Sequence, residues 1–126
     1  MSAFNWFNTR KRAFEQRTHA ITTSATVTTY TARVGSSNTN NFIVDRVINV
    51  TTAAGCDITV TLPDGIYEGQ RILVNFVTDG GTSTVTVTAT TGSAGDSTMA
   101  DAGMYMSLEW VNSTVGWIVL AESVTT

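Results

Sequence analysis

Asp57 to Leu120 reads DITVTLPDGIYEGQRILVNFVTDGGTSTVTVTATTGSAGDSTMADAGMYMSLEWVNSTVGWIVL, a run that alternates apolar and polar side chains and breaks at turn signals. Ile58, Val60 and Leu62 share one side, and Asp57, Thr59 and Thr61 the other. Pro63-Asp64-Gly65 turns the chain, and Ile72, Val74 and Phe76 form the next apolar set. After Asp79-Gly80-Gly81, Val85, Val87 and Ala89 face away from Thr84, Thr86, Thr88 and Thr90. A period of two marks strands with one buried face. Met104, Met106, Leu108 and Trp110 continue it, and Asn112 to Gly116 joins them to Trp117, Ile118, Val119 and Leu120 as a hairpin. Thr91 to Ala102 reads as a connector.

The expected fold is therefore mainly β: an antiparallel β-sandwich or barrel-like body over residues 21–126, preceded by a partly helical arm over residues 1–20. No internal repeat stands out. At 126 residues the chain suits one domain with a modest core. Charged residues make up 13%, about half the ~25% usual in globular proteins, and Thr fills the polar positions. Thr fits a pleated surface, but a low-charge surface guards strand edges poorly, so a homo-oligomer is expected, with a Thr-rich monomer as the alternative.

Charge is unevenly placed. Residues 1–20 carry Arg10, Lys11, Arg12 and Arg17 against Glu15, a net +3, whereas the rest carries three arginines against nine acids, a net −6. The basic segment also holds Phe4, Trp6, Phe7 and Phe14. Aromatics and arginine dominate binding hot spots, so Phe4, Trp6, Phe7, Arg10, Lys11, Arg12, Phe14 and Arg17 are the candidate partner-binding set. Folding back onto its own sheet is the competing use of the segment. The acidic body lacks the concentrated Lys and Arg that phosphate binding needs, which makes nucleic acid an improbable partner.

Phe42 to Val50 (FIVDRVINV) is a strand apolar on both faces, as central or interfacial strands are. Phe42, Val44, Ile48 and Val50 share a phase with Arg46, and Phe42, Val44, Arg46 and Ile48 are the candidate oligomer contact. Arg46 fits either a packed stem with its head in water or an ion pair across that contact.

Residues for catalysis are few. The chain has one His (His19) and one Cys (Cys56), too few for a zinc site, and a Ser/His/Asp site would depend on a His far from the sheet in sequence. Asp64, Asp79, Asp96 and Asp101 lack the spacing of a calcium loop, and Asp64-Gly65 and Asp79-Gly80 are turn chemistry. No P-loop or dinucleotide fingerprint is present. The expectation is a protein with no cofactor, no metal and no catalysis. One cysteine cannot form an intrachain disulfide, and no apolar run approaches the ~20 residues of a membrane span, so folding in a reducing cytosol without a secretory signal is expected.

Leu62-Pro63-Asp64-Gly65, then Gly69-Gln70-Arg71, Gly80-Gly81, Gly95-Asp96, and Trp110 with Gly116-Trp117 follow one another in an order that resembles small β-rich modules of tailed-phage virion proteins. Such modules occur in capsid decoration (cement) proteins, head fibres and tail fibres. The match runs from Ile58 to Leu120, and the first 57 residues lie outside it. The resemblance implies a virion structural role, assembly in the host cytoplasm and a homotrimer. A decoration protein bound to the major capsid protein is the reading preferred on this basis, because the chain ends just past its last strand. A tail-fibre, head-fibre or tail-adaptor module is the alternative.

Overall fold

The computed structural model describes residues 15–35, 43–92 and 97–123. They form β1 (Glu15–Thr22), β2 (Thr29–Thr31), β3 (Ile43–Thr52), β4 (Ile58–Leu62), β5 (Arg71–Asp79), β6 (Val85–Ala89), β7 (Ser97–Met99), β8 (Tyr105–Trp110) and β9 (Trp117–Ser123). One sheet has the order β1-β3-β5-β8-β9 and the other β2-β4-β6-β7.

As far as β6, successive strands alternate between the two sheets. The chain crosses over, lays down one strand, and returns beside the strand it left. The pairs β1–β3, β3–β5, β2–β4 and β4–β6 are accordingly parallel. From β7 onward the chain reverses, and β6–β7, β5–β8 and β8–β9 are antiparallel. The fold is thus mainly β with two mixed sheets, not the antiparallel body expected. Turn residues mark where a strand stops but not where the chain goes next. Parallel neighbours need a crossover of a dozen or more residues, and here each crossover contains a strand of the other sheet.

That winding creates the repeat that the sequence did not reveal. Ile58-Thr59-Val60-Thr61-Leu62 lies residue for residue beside Val85-Thr86-Val87-Thr88-Ala89. Ile48-Asn49-Val50 lies beside Val74-Asn75-Phe76 in the other sheet. A bulge after Val50 changes the offset between these two coils by one residue, and the β2–β4 pair, Thr29 beside Thr59, has a longer offset than the β4–β6 pair.

The inward sets read from the sequence form one core. Ile58, Val60, Leu62, Ile72, Val74, Phe76, Val85 and Val87 are at most 1% exposed. They share a single cluster with Ile48, Val50, Met99, Met106, Leu108, Trp110 and Trp117. Each such side chain contributes about 1.5–3 kcal/mol on burial. Met99 belongs to β7, a strand within the stretch read as a connector.

The helical arm is corrected where it is described. Glu15–Thr22 is an edge strand, so the domain boundary at residue 20 falls inside β1. Thr18, Ile21 and Thr22 are β-branched, and Ile21 is buried between exposed Ala20 and Thr22, a strand's alternation that buried Thr23 continues just past β1. No helix occurs among the described residues.

Candidate functional site

Pro63, Gly65, Gly69, Gln70, Trp110 and Trp117, part of the set that carries the resemblance, meet at one corner, whereas Gly80 and Gly81 lie against Thr52 to Ala54. The Trp117 indole N–H donates to the Pro63 carbonyl at 2.8 Å, and the Trp110 and Trp117 rings meet edge to face at 5.7 Å. The Gly69 N–H donates to the Trp110 carbonyl (2.9 Å), and the Trp110 N–H to the Gln70 carbonyl (2.8 Å). Gln70 is fully buried. Its Oε1 accepts the Ile66 N–H at 2.9 Å, and its Nε2 donates to the Val34 carbonyl at 3.0 Å. Gly65 is required by packing, since a Cβ there would lie 2.3 Å from Trp110 Cγ. Arg71 pairs with Glu109 across β5 and β8 at 3.0 Å. The polar groups of Gln70, Trp110 and Trp117 thus bond within the chain and hold this corner together. Asp79 is likewise engaged: its Oδ1 accepts the Gly81 and Ser83 N–H groups. Gly95 and Asp96 lie outside the described residues.

A second polar cluster joins β1, β2 and β3. Asp45 is fully buried. Its Oδ1 accepts Arg17 Nε at 2.5 Å, and its Oδ2 accepts the Tyr30 hydroxyl at 2.5 Å and the Arg33 N–H at 2.9 Å. Arg17 also donates to the Tyr30 hydroxyl at 3.0 Å, and the His19 ring stacks on Tyr30 at 4.9 Å. The hydrogen bond to Asp45 raises the Arg17 pKa above its usual value. Desolvation first, then the hydrogen bond and charge of Asp45, push Tyr30 up to about 12. Tyr30 is therefore a protonated donor at neutral pH rather than a base. The cluster ties the first coil to the second through a carboxylate bonded on both oxygens.

Of the sequence-predicted site residues, Arg17 is described, and it faces Asp45 of its own chain. Phe4, Trp6, Phe7, Arg10, Lys11, Arg12, Phe14 and Phe42 lie outside the described residues. Val44 and Ile48 are 1% and 0% exposed within their own chain, and Ile48 belongs to the core cluster. Their strand carries a bulge. Arg17 pairs with Asp45 and Thr18 with Val47, leaving Arg46 without a partner across the ladder. The extra residue puts Asp45 on the same side as Ile48, where simple alternation sets them on opposite sides, while Val47 stays opposite Ile48.

The two sheets present different outward faces. On the four-stranded sheet Thr29, Thr59, Thr86 and Thr98 form one cross-strand row, and Thr31, Thr61 and Thr88 another. At the end of this face lies an open depression of about 670 Å³, lined among others by Ser24, Thr28, Asp57, Thr59 and Thr84. Asp57 Oδ1 there accepts the Thr84 N–H at 2.8 Å. The five-stranded sheet instead turns Val47, Leu73 and Ile118 outward, next to Tyr105 and the Asn49–Asn75 pair, which hydrogen-bond at 3.0 Å. Sequence reasoning missed both the Asp45 cluster and this face, although the two-faced pattern of β3 and β5 was the signal for the latter. Among the described residues no three His, Cys, Asp or Glu side chains are grouped to hold a metal ion, and no helix is long and apolar enough to cross a membrane. No protein-family model matches the chain, and no curated protein matches it significantly.

Proposed function

We propose that this chain is a non-enzymatic virion structural protein: a capsid decoration protein whose two sheets stack as a β-sandwich and whose N-terminal segment attaches it to the major capsid protein. The observation that carries the reading is the corner of motif residues. Several of the positions that resemble phage virion modules pack Trp110, Trp117, Pro63 and Gln70 together, which gives that stretch of the chain one structural role and supports the reading. The polar groups of that corner and of the Asp45 cluster are engaged internally, which fits a protein that acts through its surface. A homotrimer located in the virion belongs to the same reading.

Attachment is assigned to residues 1–14, because residues 15–22 are β1 and belong to the body. Phe4, Trp6, Phe7 and Phe14 supply the affinity, at roughly 2 kcal/mol or more for each true hot spot. Arg10, Lys11 and Arg12 steer and orient, an effect that salt screens. The test is co-sedimentation with undecorated phage capsids at low and high salt. Deleting residues 1–14 is expected to leave a folded body that no longer sediments with particles. Reversing the charges of Arg10, Lys11 and Arg12 is expected to weaken attachment more at low salt than at high salt. Equal binding by the truncated chain would move attachment onto the sheets, and no binding by the intact chain would refute the capsid reading.

A further inference from the structure

We infer that the outward face of the five-stranded sheet is where copies of this chain pack against one another, an inference that rests on the oligomeric part of the reading above. Val47 and Leu73 stand in register on this face, with Ile118 and Tyr105 nearby. The bulge residues Val77 and Leu120 add apolar surface at 51% and 44% exposure. The opposite sheet turns out rows of threonine, which water solvates well. The outer strands are guarded against edge pairing: β1 and β9 contain irregular register, and β2 and β7 are three residues long. A contact between copies therefore falls on a face rather than an edge.

Charge selects a second copy as the occupant. Residues 21–126 carry a net −6, so two bodies repel over most orientations. On this face Arg71 and Glu109 neutralise each other. Arg46, half-buried beside Val47, makes no ion pair among the described residues. The face is thus neutral to slightly positive on an acidic body, and an acidic neighbour complements it. This places Arg46 at the oligomer contact while replacing Val44 and Ile48 by Val47 and Leu73. Five strands about 4.8 Å apart, over roughly five residues each, cover on the order of 400 Å² in projection. Counted on both copies this is about 800 Å², below the usual range of specific interfaces, so weak association, micromolar at best, is expected.

The experiment is sedimentation velocity with light scattering on the full chain from about 1 to 100 µM, the range in which so small an interface dissociates. The wild type is expected to form a closed multimer. Leu73→Glu and Val77→Glu are expected to weaken it at least tenfold, and Arg46→Glu to weaken it less. Thr86→Glu, on the opposite face, is expected to change nothing. Far-UV circular dichroism checks folding, and Val77→Glu at an exposed bulge decides the matter if Leu73→Glu unfolds. A monomeric wild type, undiminished association of Val77→Glu, or equal disruption by Thr86→Glu would overturn the inference. Capsid co-sedimentation separates this from the functional reading: a monomer that still binds particles refutes only the interface, and a multimer that does not bind refutes only the capsid role.

Discussion

Replacing Asp45 by Ala is the sharpest probe of how the first coil is held. The side chain is fully buried, and its two oxygens accept bonds from Arg17, Tyr30 and the Arg33 N–H. The substitution leaves a hydroxyl and a backbone N–H without their acceptor and a guanidinium without its counter-charge. Removing one partner of a buried ion pair costs about 3–5 kcal/mol. The Arg17 side chain is 28% exposed and can turn to water, which brings the expected loss down to roughly 2–4 kcal/mol. Asp45→Asn retains volume and one acceptor, so about half that loss is expected. Urea unfolding reads the result. With a slope of about 1–3 kcal/mol per molar, the Asp45→Ala midpoint falls by on the order of 1–2 M. Stability in a coiled fold is largely a sum of neighbouring terms, so the loss also appears locally, as faster amide exchange in β1 than in β5 or β8. A double-mutant cycle with Arg17→Met isolates the pair. An Asp45→Ala loss under about 0.5 kcal/mol, or no coupling to Arg17, would refute the claim that this cluster fastens the first coil.

Two further outcomes follow from the same geometry. Tyr30 is raised from 10.0 to about 12 in the folded chain, so folding favours its protonated form. The stability this contributes is complete below pH 10 and is lost as pH climbs through 10 to about 12, where the unfolded chain releases the proton first. Alkaline unfolding of the wild type should show that decline, and Tyr30→Phe should remove its share of the slope. Gly65→Ala forces a Cβ to 2.3 Å from Trp110 Cγ, so a loss of at least about 1–3 kcal/mol is expected. Gly103→Ala, with φ +93° and open space around it, should cost only the backbone strain of about 1–2 kcal/mol, and thermal melts of the two variants would compare them.

What was legible in the sequence was whatever depends on nearest neighbours along the chain. Alternation placed Ile58, Val60, Leu62, Ile72, Val74 and Phe76 correctly in the core, because a strand's two faces are fixed by its own pleat. The β8–β9 hairpin was legible because a short loop leaves its strands no other partner. The partners of β4 were not legible. Its neighbours are β2 and β6, and the choice among sheets is made by crossovers whose direction turn residues do not encode. The bulge at Arg46 defeated the phase of β3, since one extra residue exchanges the two faces for everything before it. Arg17 was read as an arm residue because its charge stood out. Its partner Asp45 lies 28 residues away, and no local pattern joins them.

The winding also bears on how the two outward faces differ, although Thr18 and Ser107 flank Val47 and Leu73 in one row of the five-stranded sheet. Each coil adds one strand to each sheet, so a given outward row collects the same structural position from successive coils. Thr59 and Thr86 occupy one such position, and Asn49 and Asn75 another. A residue type suited to that position is thus repeated by the fold into a cross-strand row. Threonine fills the four-stranded sheet's rows because every coil solves the same problem there: a β-branched side chain that fits the pleat and still bonds to water. The five-stranded sheet meets a different demand, with Val47 and Leu73 recurring at a position that threonine could have filled equally well in water. Burial in the chain's own core cannot account for those two, since both point away from Ile48 and Val74. Strand propensity alone does not distinguish the sheets either, for Thr and Val are both favoured. The remaining difference is what lies opposite the face, which is why the contact between copies is proposed there and not on the threonine rows.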